Sequence, residues 1–256
     1  MRLDRALERE GRCAFVPFIT AGDPSLSQTA ARVKALAAAG ADVIELGVPF
    51  SDPVADGPVI QAAAARALRK NTTLRKVLLL VAELRREGLS TPIVLFTYLN
   101  PVLRLGVERF ADACGESGVD GVLAVDLSAE ESSPLSRALS RRGVELVLLV
   151  SPTTTDDRIR LIGKSSGSIV YYVSREGVTG ARAGVAGGLA ARISRVRRLV
   201  KKPVIVGFGV SEPAQARALA RVSDGVVVGS ALVAAGRGGT AAMARLARRL
   251  VSALGR

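Results

Sequence analysis

The 256-residue sequence contains no histidine and only two cysteines, Cys13 and Cys114. The absence of histidine excludes zinc sites built on imidazole, Ser-His-Asp triads and Cys-His dyads. Two cysteines so far apart form neither a disulfide framework nor a metal cluster, so we expect both to be buried, inert thiols. Acid–base chemistry in this chain must therefore depend on carboxylates.

Aromatic residues are also scarce, with six phenylalanines, three tyrosines and no tryptophan. The formal net charge is +13, which could indicate an anionic partner such as nucleic acid. A base-stacking surface would need aromatic side chains between the arginines, and the sequence has none there. We therefore favour a solvated basic surface on helices, whose field could also attract a phosphorylated substrate, and expect no nucleic-acid partner.

Long hydrophobic runs are missing as well, and none approaches the length of a membrane span. The first ten residues carry Leu3, Ala6 and Leu7 at helical spacing among charges, which predicts an N-terminal helix and not a signal peptide. The expected location is the cytoplasm, with no membrane partner. No linker or shift in composition divides the chain, so we expect a single domain over 1–256.

What the sequence does contain is a regular alternation. Eight short apolar runs rich in β-branched residues alternate with stretches rich in Ala, Leu, Arg and Glu, which predicts a parallel sheet covered by helices on both faces. Eight such units in about 250 residues match a (β/α)8 TIM barrel, here with an extra N-terminal helix. An open doubly wound sheet would need a G-x-G-x-x-G turn after the first strand, where residues 20–24 read T-A-G-D-P. The predicted strands are 13–19, 43–46, 93–96, 122–125, 146–150, 169–173, 204–206 and 226–228.

Glu45 lies inside the second of these apolar runs, where a carboxylate is costly unless it is paired or hydrogen-bonded. Side-chain alternation along the strand places it with Val43 and Gly47 on the inner face of the barrel. Burial would raise its pKa and suit it to exchange a proton near neutrality, which favours a catalytic role. The alternative is a structural carboxylate bonded to backbone or hydroxyl groups, such as that of Tyr171.

Further acids follow the predicted strands. Asp56 lies in a loop flanked by glycine and proline, which could bring a second carboxylate over a ligand; equally, it could form a turn or cap the next helix. Asp23 and Asp52 each precede a proline, which favours turns. Asp126 follows the fourth strand and could bind a ligand or cap the helix after it, and we favour the cap. No cluster of ligands predicts a metal site.

Glycines follow the last two predicted strands: Gly207 and Gly209 after the seventh, and Gly229 beside Ser230 after the eighth. Barrels often bind phosphate on backbone amides from these two loops. Gly180, in the glycine-rich segment after the sixth strand, could add another amide. Ordinary tight turns are the alternative, but the two pairs together favour a phosphate site.

Several motifs together closely resemble the α subunit of tryptophan synthase. They occur in family order over almost the whole chain, and the loop motif after the second strand is the most specific. The matching stretches are 15–24 (FVPFITAGDP), 45–61, 97–101 (TYLNP), 118–122 (GVDGV), 171–180 (YYVSREGVTG), 207–211 (GFGVS) and 229–231 (GSA).

The resemblance implies a TIM-barrel lyase that cleaves indole-3-glycerol phosphate by a retro-aldol reaction into indole and glyceraldehyde 3-phosphate, late in tryptophan biosynthesis. By motif position, Glu45 resembles the family's catalytic glutamate, which handles the proton at the indole carbon. Asp56 resembles the aspartate that engages the ring nitrogen. The implied substrate-binding residues are Phe18, Tyr98, Tyr171 and Thr179, and the implied phosphate-binding residues are Gly180, Gly209, Gly229 and Ser230.

The resemblance also implies a partner, a β subunit in an αββα heterotetramer that receives indole through a channel. The loop after the second strand and its following helix would face that partner. Pyridoxal phosphate would belong to the β subunit, and we expect no cofactor or metal in this chain. Two other functions remain open: a phosphosugar isomerase or epimerase on the same barrel, which would not require Asp56, and a non-catalytic activator subunit.

Overall fold

The computed structural model describes residues 2–8, 10–173, 183–207 and 209–255, and a ring of parallel strands forms its centre. The strands are β1 (Ala14–Thr20), β2 (Ile44–Gly47), β3 (Ile93–Thr97), β4 (Gly121–Ala124), β5 (Glu145–Leu146), β6 (Leu148–Val150), β7 (Val170–Val173), β8 (Val204–Gly207) and β9 (Gly225–Val228). They pair in the order β5-β4-β3-β2-β1-β9-β8-β7-β6. Only Val147 separates β5 from β6, so the two ends of this order meet through the chain and the barrel is nearly closed.

Helices surround the barrel and one precedes it. They are α1 (Arg2–Leu7), α2 (Leu26–Ala38), α3 (Pro58–Arg69), α4 (Leu74–Arg86), α5 (Leu99–Leu105), α6 (Val107–Ser117), α7 (Ser133–Ser140), α8 (Asp156–Ser165), α9 (Ala183–Val200), α10 (Pro213–Ala220), α11 (Ser230–Gly236) and α12 (Thr240–Ala253). The prediction of a TIM barrel with an extra N-terminal helix is confirmed. Within the described part of the chain, no helix is long and apolar enough to cross a membrane.

The sequence pattern misses three local features. The predicted fifth strand is broken at Val147, whose amide bonds to the carbonyl of Val122 at 2.8 Å. The pattern also does not reveal α5 and α11. Each is only seven residues long and begins almost at once after a strand, so it has too few turns to show a helical period.

Alternation along the strands divides the core into two layers. Ile44 and Leu46 of β2 point outward and pack in the large cluster beneath the helices, while Val43 belongs to the cluster inside the barrel. Leu3 and Leu7 of α1 are buried in that inner cluster, against the first residues of β4 and β9. Helix α1 therefore closes the amino end of the barrel and leaves the carboxyl end for a site. Both cysteines are buried and neither forms a disulfide, as predicted.

The aspartates that precede strands at the amino end are fully engaged in structure. Each accepts hydrogen bonds from an arginine and from the backbone amide of a neighbouring strand, at 2.5–2.9 Å. Such charge-assisted bonds fix the strand ends. The three sets are Asp42 with Arg12 and Phe15, Asp120 with Arg85 and Ile93, and Asp224 with Arg197 and Val204.

Candidate functional site

Glu45 lies in the barrel interior and differs from the other buried acids in its hydrogen bonding. Its residue is 1 % exposed, and neither carboxyl oxygen has a hydrogen-bond partner among the described residues. The alternative of a carboxylate satisfied by backbone or by the Tyr171 hydroxyl is therefore wrong for this part of the chain. Burial alone raises the pKa of Glu45 to about 8, because the charged form loses its hydration. At neutral pH the carboxyl group is mostly protonated and can donate that proton.

Tyr171 approaches the same region from β7, on the inner layer of the barrel. Its burial, and then the negative charges of Glu45 and Asp56, raise the pKa of its hydroxyl well above the usual value. The Tyr171 hydroxyl is thus close enough to both carboxyl groups for their charges to act on it. A Cβ atom at residue 207 would overlap the Tyr171 hydroxyl, so Gly207 makes room for this ring.

Asp56 is held by the side chain of Tyr98, which directly follows β3 as the N-cap of α5. The Tyr98 hydroxyl donates to Asp56 Oδ2 at 3.0 Å and accepts from the Ala55 amide at 3.0 Å. The Phe50 ring stacks on Tyr98 with centroids 4.9 Å apart, and Gln61 Nε2 donates to the Asp56 carbonyl at 2.9 Å. Burial raises the pKa of Asp56, and the hydrogen bond from Tyr98 opposes this rise. The loop after β2 therefore presents a second carboxyl in a fixed position.

The cap role considered for Asp56 is wrong, because Gly57 is the N-cap of α3 and no side chain caps that helix. Asp126 does cap a helix, but a different one from that predicted. Its Oδ1 accepts from the amide of Leu99, the first residue of α5, at 2.7 Å. The ends of β3 and β4 are neighbours in the sheet, so Asp126 reaches α5, the helix that follows β3, and not α7.

An apolar wall adjoins Glu45. Phe18 of β1 lies in register with Glu45 and contacts Phe96 edge-on, with ring centroids 5.2 Å apart. A Cβ atom at Gly47 would lie 2.5 Å from Phe18 Cζ, so the glycine gives this ring its position. The wall consists of Phe18, Ile60, Ala63, Phe96 and Val233.

The predicted phosphate residues lie only partly within the described chain. Gly209 follows β8 with φ +66°, in the left-handed region that favours glycine. Gly229 is the N-cap of α11 and Ser230 is its first residue, so the first amides of that helix have no partner within it. Such amides suit an anion. Thr179 and Gly180 lie outside the described residues.

Two other acids have structural roles or none that the contacts define. Asp23 forms more than a turn, because both its oxygens accept from Arg66 of α3 at 2.8 Å and tie the loop after β1 to that helix. Asp52 is exposed. No group of three or more candidate ligands for a metal ion occurs within 2–8, 10–173, 183–207 and 209–255.

Sequence reasoning misses several residues that shape this site. Phe96 could be found from its inward parity on the third strand, because Glu45 is assigned by the same rule. Phe50 and Gln61 give no such signal. Their contacts depend on how the loop after β2 folds back, which no local pattern encodes.

Comparison with known proteins gives one consistent family. Residues 5–251 match the family described as tryptophan synthase alpha chain. The tryptophan synthase alpha chain of Marinobacter nauticus is 50 % identical over 229 residues, covering 90 % of this chain and 85 % of that one. The protein of the same description from a Caulobacter species is 50 % identical over 235 residues, covering 91 % and 86 %.

Solved structures agree with this result. Tryptophan synthase subunit alpha of Legionella pneumophila superposes with a TM-score of 0.91 at 36 % identity, over 99 % of this chain and 98 % of that one. A chain of tryptophan synthase from M. tuberculosis superposes with a TM-score of 0.90 at 32 % identity, over 99 % and 97 %.

The raised pKa of Glu45 predicts a specific effect of pH on stability. Between pH 4.5 and about 8 the native state keeps a proton that the unfolded state releases, so stability falls as pH rises through this window. The contribution of this group is about 1.4 kcal/mol for each pH unit. We expect Glu45→Gln, which has no such proton, to become progressively more stable than the wild type across the window in urea unfolding experiments. Parallel curves for the two proteins would contradict the buried, unpartnered carboxyl.

Proposed function

The chain belongs to the tryptophan synthase alpha chain family, whose members are lyase subunits, and from this premise we propose how its own residues cleave indole-3-glycerol phosphate into indole and glyceraldehyde 3-phosphate. The observation that carries the proposal is the Glu45 carboxyl, which is mostly protonated at neutral pH, has no hydrogen-bond partner among the described residues and lies beside an apolar wall. A phosphosugar isomerase or epimerase would require neither the wall nor Asp56, and the family membership does not favour it. A non-catalytic activator would have no need to bury Glu45 at the cost of its hydration.

Glu45 is the general acid of this proposal. Its carboxyl donates a proton to the indole ring carbon that carries the glycerol chain. The bond between that carbon and the chain then breaks, and its electron pair returns to the ring. The substrate hydroxyl loses its proton as the aldehyde forms, and the Glu45 carboxylate can accept it, so the cycle consumes no net proton.

Asp56 is the second carboxyl, and it accepts a hydrogen bond from the indole N–H. Protonation of the ring carbon makes the ring positive, so a carboxylate at the nitrogen stabilises that state more than the ground state. Tyr98 orients Asp56 by donating to Oδ2 while the Ala55 amide fixes the tyrosine oxygen. Burial and the charge of Asp56 raise the pKa of Tyr98, so its hydroxyl keeps the proton that it donates.

The remaining predicted residues bind the two ends of the substrate. Phe18 and its apolar neighbours contact the indole ring, and Tyr171 contacts the substrate from the inner layer of the barrel. The phosphate is assigned to amides at the ends of β8 and β9 and in the glycine-rich segment after β7. This set comprises Gly180, Gly209, Gly229 and Ser230. Thr179 is assigned to substrate binding on the family motif alone.

The proposed partner is a tryptophan synthase β subunit in an αββα assembly. Membership of the family implies this partnership, and pyridoxal phosphate in the family is carried by the β chain, so we assign no cofactor to this chain. Exposed apolar residues at the carboxyl end of the barrel support the docking face. Val54, Leu103 and Val59 are 77 %, 56 % and 37 % exposed, on the loop after β2, on α5 and on α3. We propose the cytoplasm as the location of the assembly.

The reaction is tested by measuring indole release from indole-3-glycerol phosphate, with and without a β subunit. We expect release by the wild type and none by Glu45→Gln, because the amide is close in shape to the protonated acid but has no proton to give. The variant should still bind glycerol 3-phosphate with the wild-type affinity. No release by the wild type in either condition would overturn the function, and full turnover by the variant would overturn the role of Glu45.

Tyr98→Phe tests the positioning of Asp56. The variant keeps the stacking on Phe50 but loses the hydrogen bond to Asp56. Because a hydrogen bond to a charged group is stronger than one between neutral groups, we expect kcat to decrease about tenfold. Because that bond opposes the rise in the pKa of Asp56, its loss should also move the acidic limb of the kcat profile to higher pH. Tyr172→Phe, on the outward face of the same barrel, is the matched control and should leave both unchanged. Equal behaviour of the two variants would refute the positioning role.

A further inference from the structure

A cleft of about 610 Å³ opens between the carboxyl ends of α8 and α9. These helix ends lead into β7 and β8, so the cleft is at the amino end of the barrel, opposite the carboxyl end where Glu45 and Asp56 lie. Its lining contains five cationic side chains and no acidic one. They are Arg160, Lys164, Arg198, Lys201 and Lys202.

Three of the five cationic side chains that line the cleft lack the carboxylate partners, within the described chain, that other arginines on the same helices have. Lys164, Arg198 and Lys201 form no ion pair with any residue of the described chain. Arg160 pairs with an exposed aspartate at 2.9 Å, and Lys202 donates to a backbone carbonyl at 2.6 Å. Cations that share a concave surface reinforce one another's positive potential, so this cleft attracts anions.

The ion pairs on the remaining faces of α8 and α9 make the contrast clear. Three arginines there bind carboxylates at 2.8–3.0 Å, on surfaces as accessible as the cleft. The basic composition of the chain alone therefore does not explain why the lining of the cleft has no carboxylates beside its cations. The pairs are Arg158 with Glu130, Arg195 with Asp156, and Arg197 with Asp224.

Lys201 adds a backbone observation that is independent of charge. It follows the last residue of α9 with φ +53°, in the left-handed region, and its amide bonds to the Arg197 carbonyl at 3.0 Å. Glycine is the usual residue at this position of a helix end, since a Cβ atom is strained there. The chain carries a lysine at a position where the backbone conformation favours glycine. A residue held in a strained conformation of this kind supports the hypothesis that its side chain has a function.

We propose that this cleft binds a compact anion with two or more phosphate groups, such as a di- or triphosphate. Its volume is in the range of small-molecule sites. The guanidinium groups can bind phosphate oxygens in pairs, and the lysines supply point charges around them. A single phosphate would leave most of these cations unneutralised. The lining has no aromatic side chain to stack on bases, which disfavours a nucleic acid.

The test uses the full chain and inorganic tripolyphosphate, titrated calorimetrically at low salt. Glycerol 3-phosphate is kept at saturation so that the proposed substrate phosphate site is occupied. We expect tripolyphosphate to bind at least about tenfold more tightly than orthophosphate. Lys164→Gln with Arg198→Gln should weaken tripolyphosphate about tenfold or more, which corresponds to 1.4 kcal/mol. Arg245→Gln with Arg248→Gln on α12 removes the same charge from an exposed surface and should leave the affinity within about twofold.

Lys201→Gly separates binding from folding. It removes one charge and relieves the left-handed strain, so we expect unchanged or higher thermal stability together with weaker binding of tripolyphosphate. The proposal is overturned if Lys201→Gly binds like the wild type, if the α12 variant loses as much affinity as the cleft variant, or if single-stranded RNA binds through these residues while tripolyphosphate does not compete. Because binding is measured without turnover, a failure of the proposed lyase reaction would not alter the result.

Discussion

The site depends on one costly placement, a carboxyl group inside the barrel that no described residue binds. Glu45 loses its hydration without a compensating hydrogen bond from the described part of the chain, and this burial raises its pKa to about 8. The aspartates at the amino end of the barrel show what the same chain does with a structural acid, since Asp42 is bonded to both an arginine and a backbone amide. This difference supports the proposal that Glu45 is available to a ligand.

The neighbours of Glu45 are arranged so that it stays available. Gly207 and Gly47 give Tyr171 and Phe18 the space to lie beside the carboxyl, because a methyl group at either glycine would overlap an aromatic ring. Asp56 lies on a loop that is held by a hydrogen bond from Tyr98, so its position does not depend on a bond to Glu45. Burial raises the pKa of both acids, and among the described residues only Asp56 has a hydrogen bond that opposes the rise.

Much of this could be predicted from the sequence, because it follows from local periodicity. Strand parity places Glu45 inward, and the count of apolar runs gives the barrel. Features that depend on contacts between distant loops could not be predicted: Asp126 caps α5 because the ends of β3 and β4 are adjacent, and Asp56 binds a hydroxyl 42 residues away. The break at Val147 also escapes prediction, since an apolar residue within an apolar run shows no change of pattern.

The dependence of kcat/KM for indole release on pH tests the central claim most directly, because it reports the ionisation of essential groups in the free enzyme. If protonated Glu45 is the acid, kcat/KM falls above a pKa of about 8 as the carboxyl loses its proton. A profile that stays level or rises well beyond pH 8, with substrate and fold intact, would contradict the account.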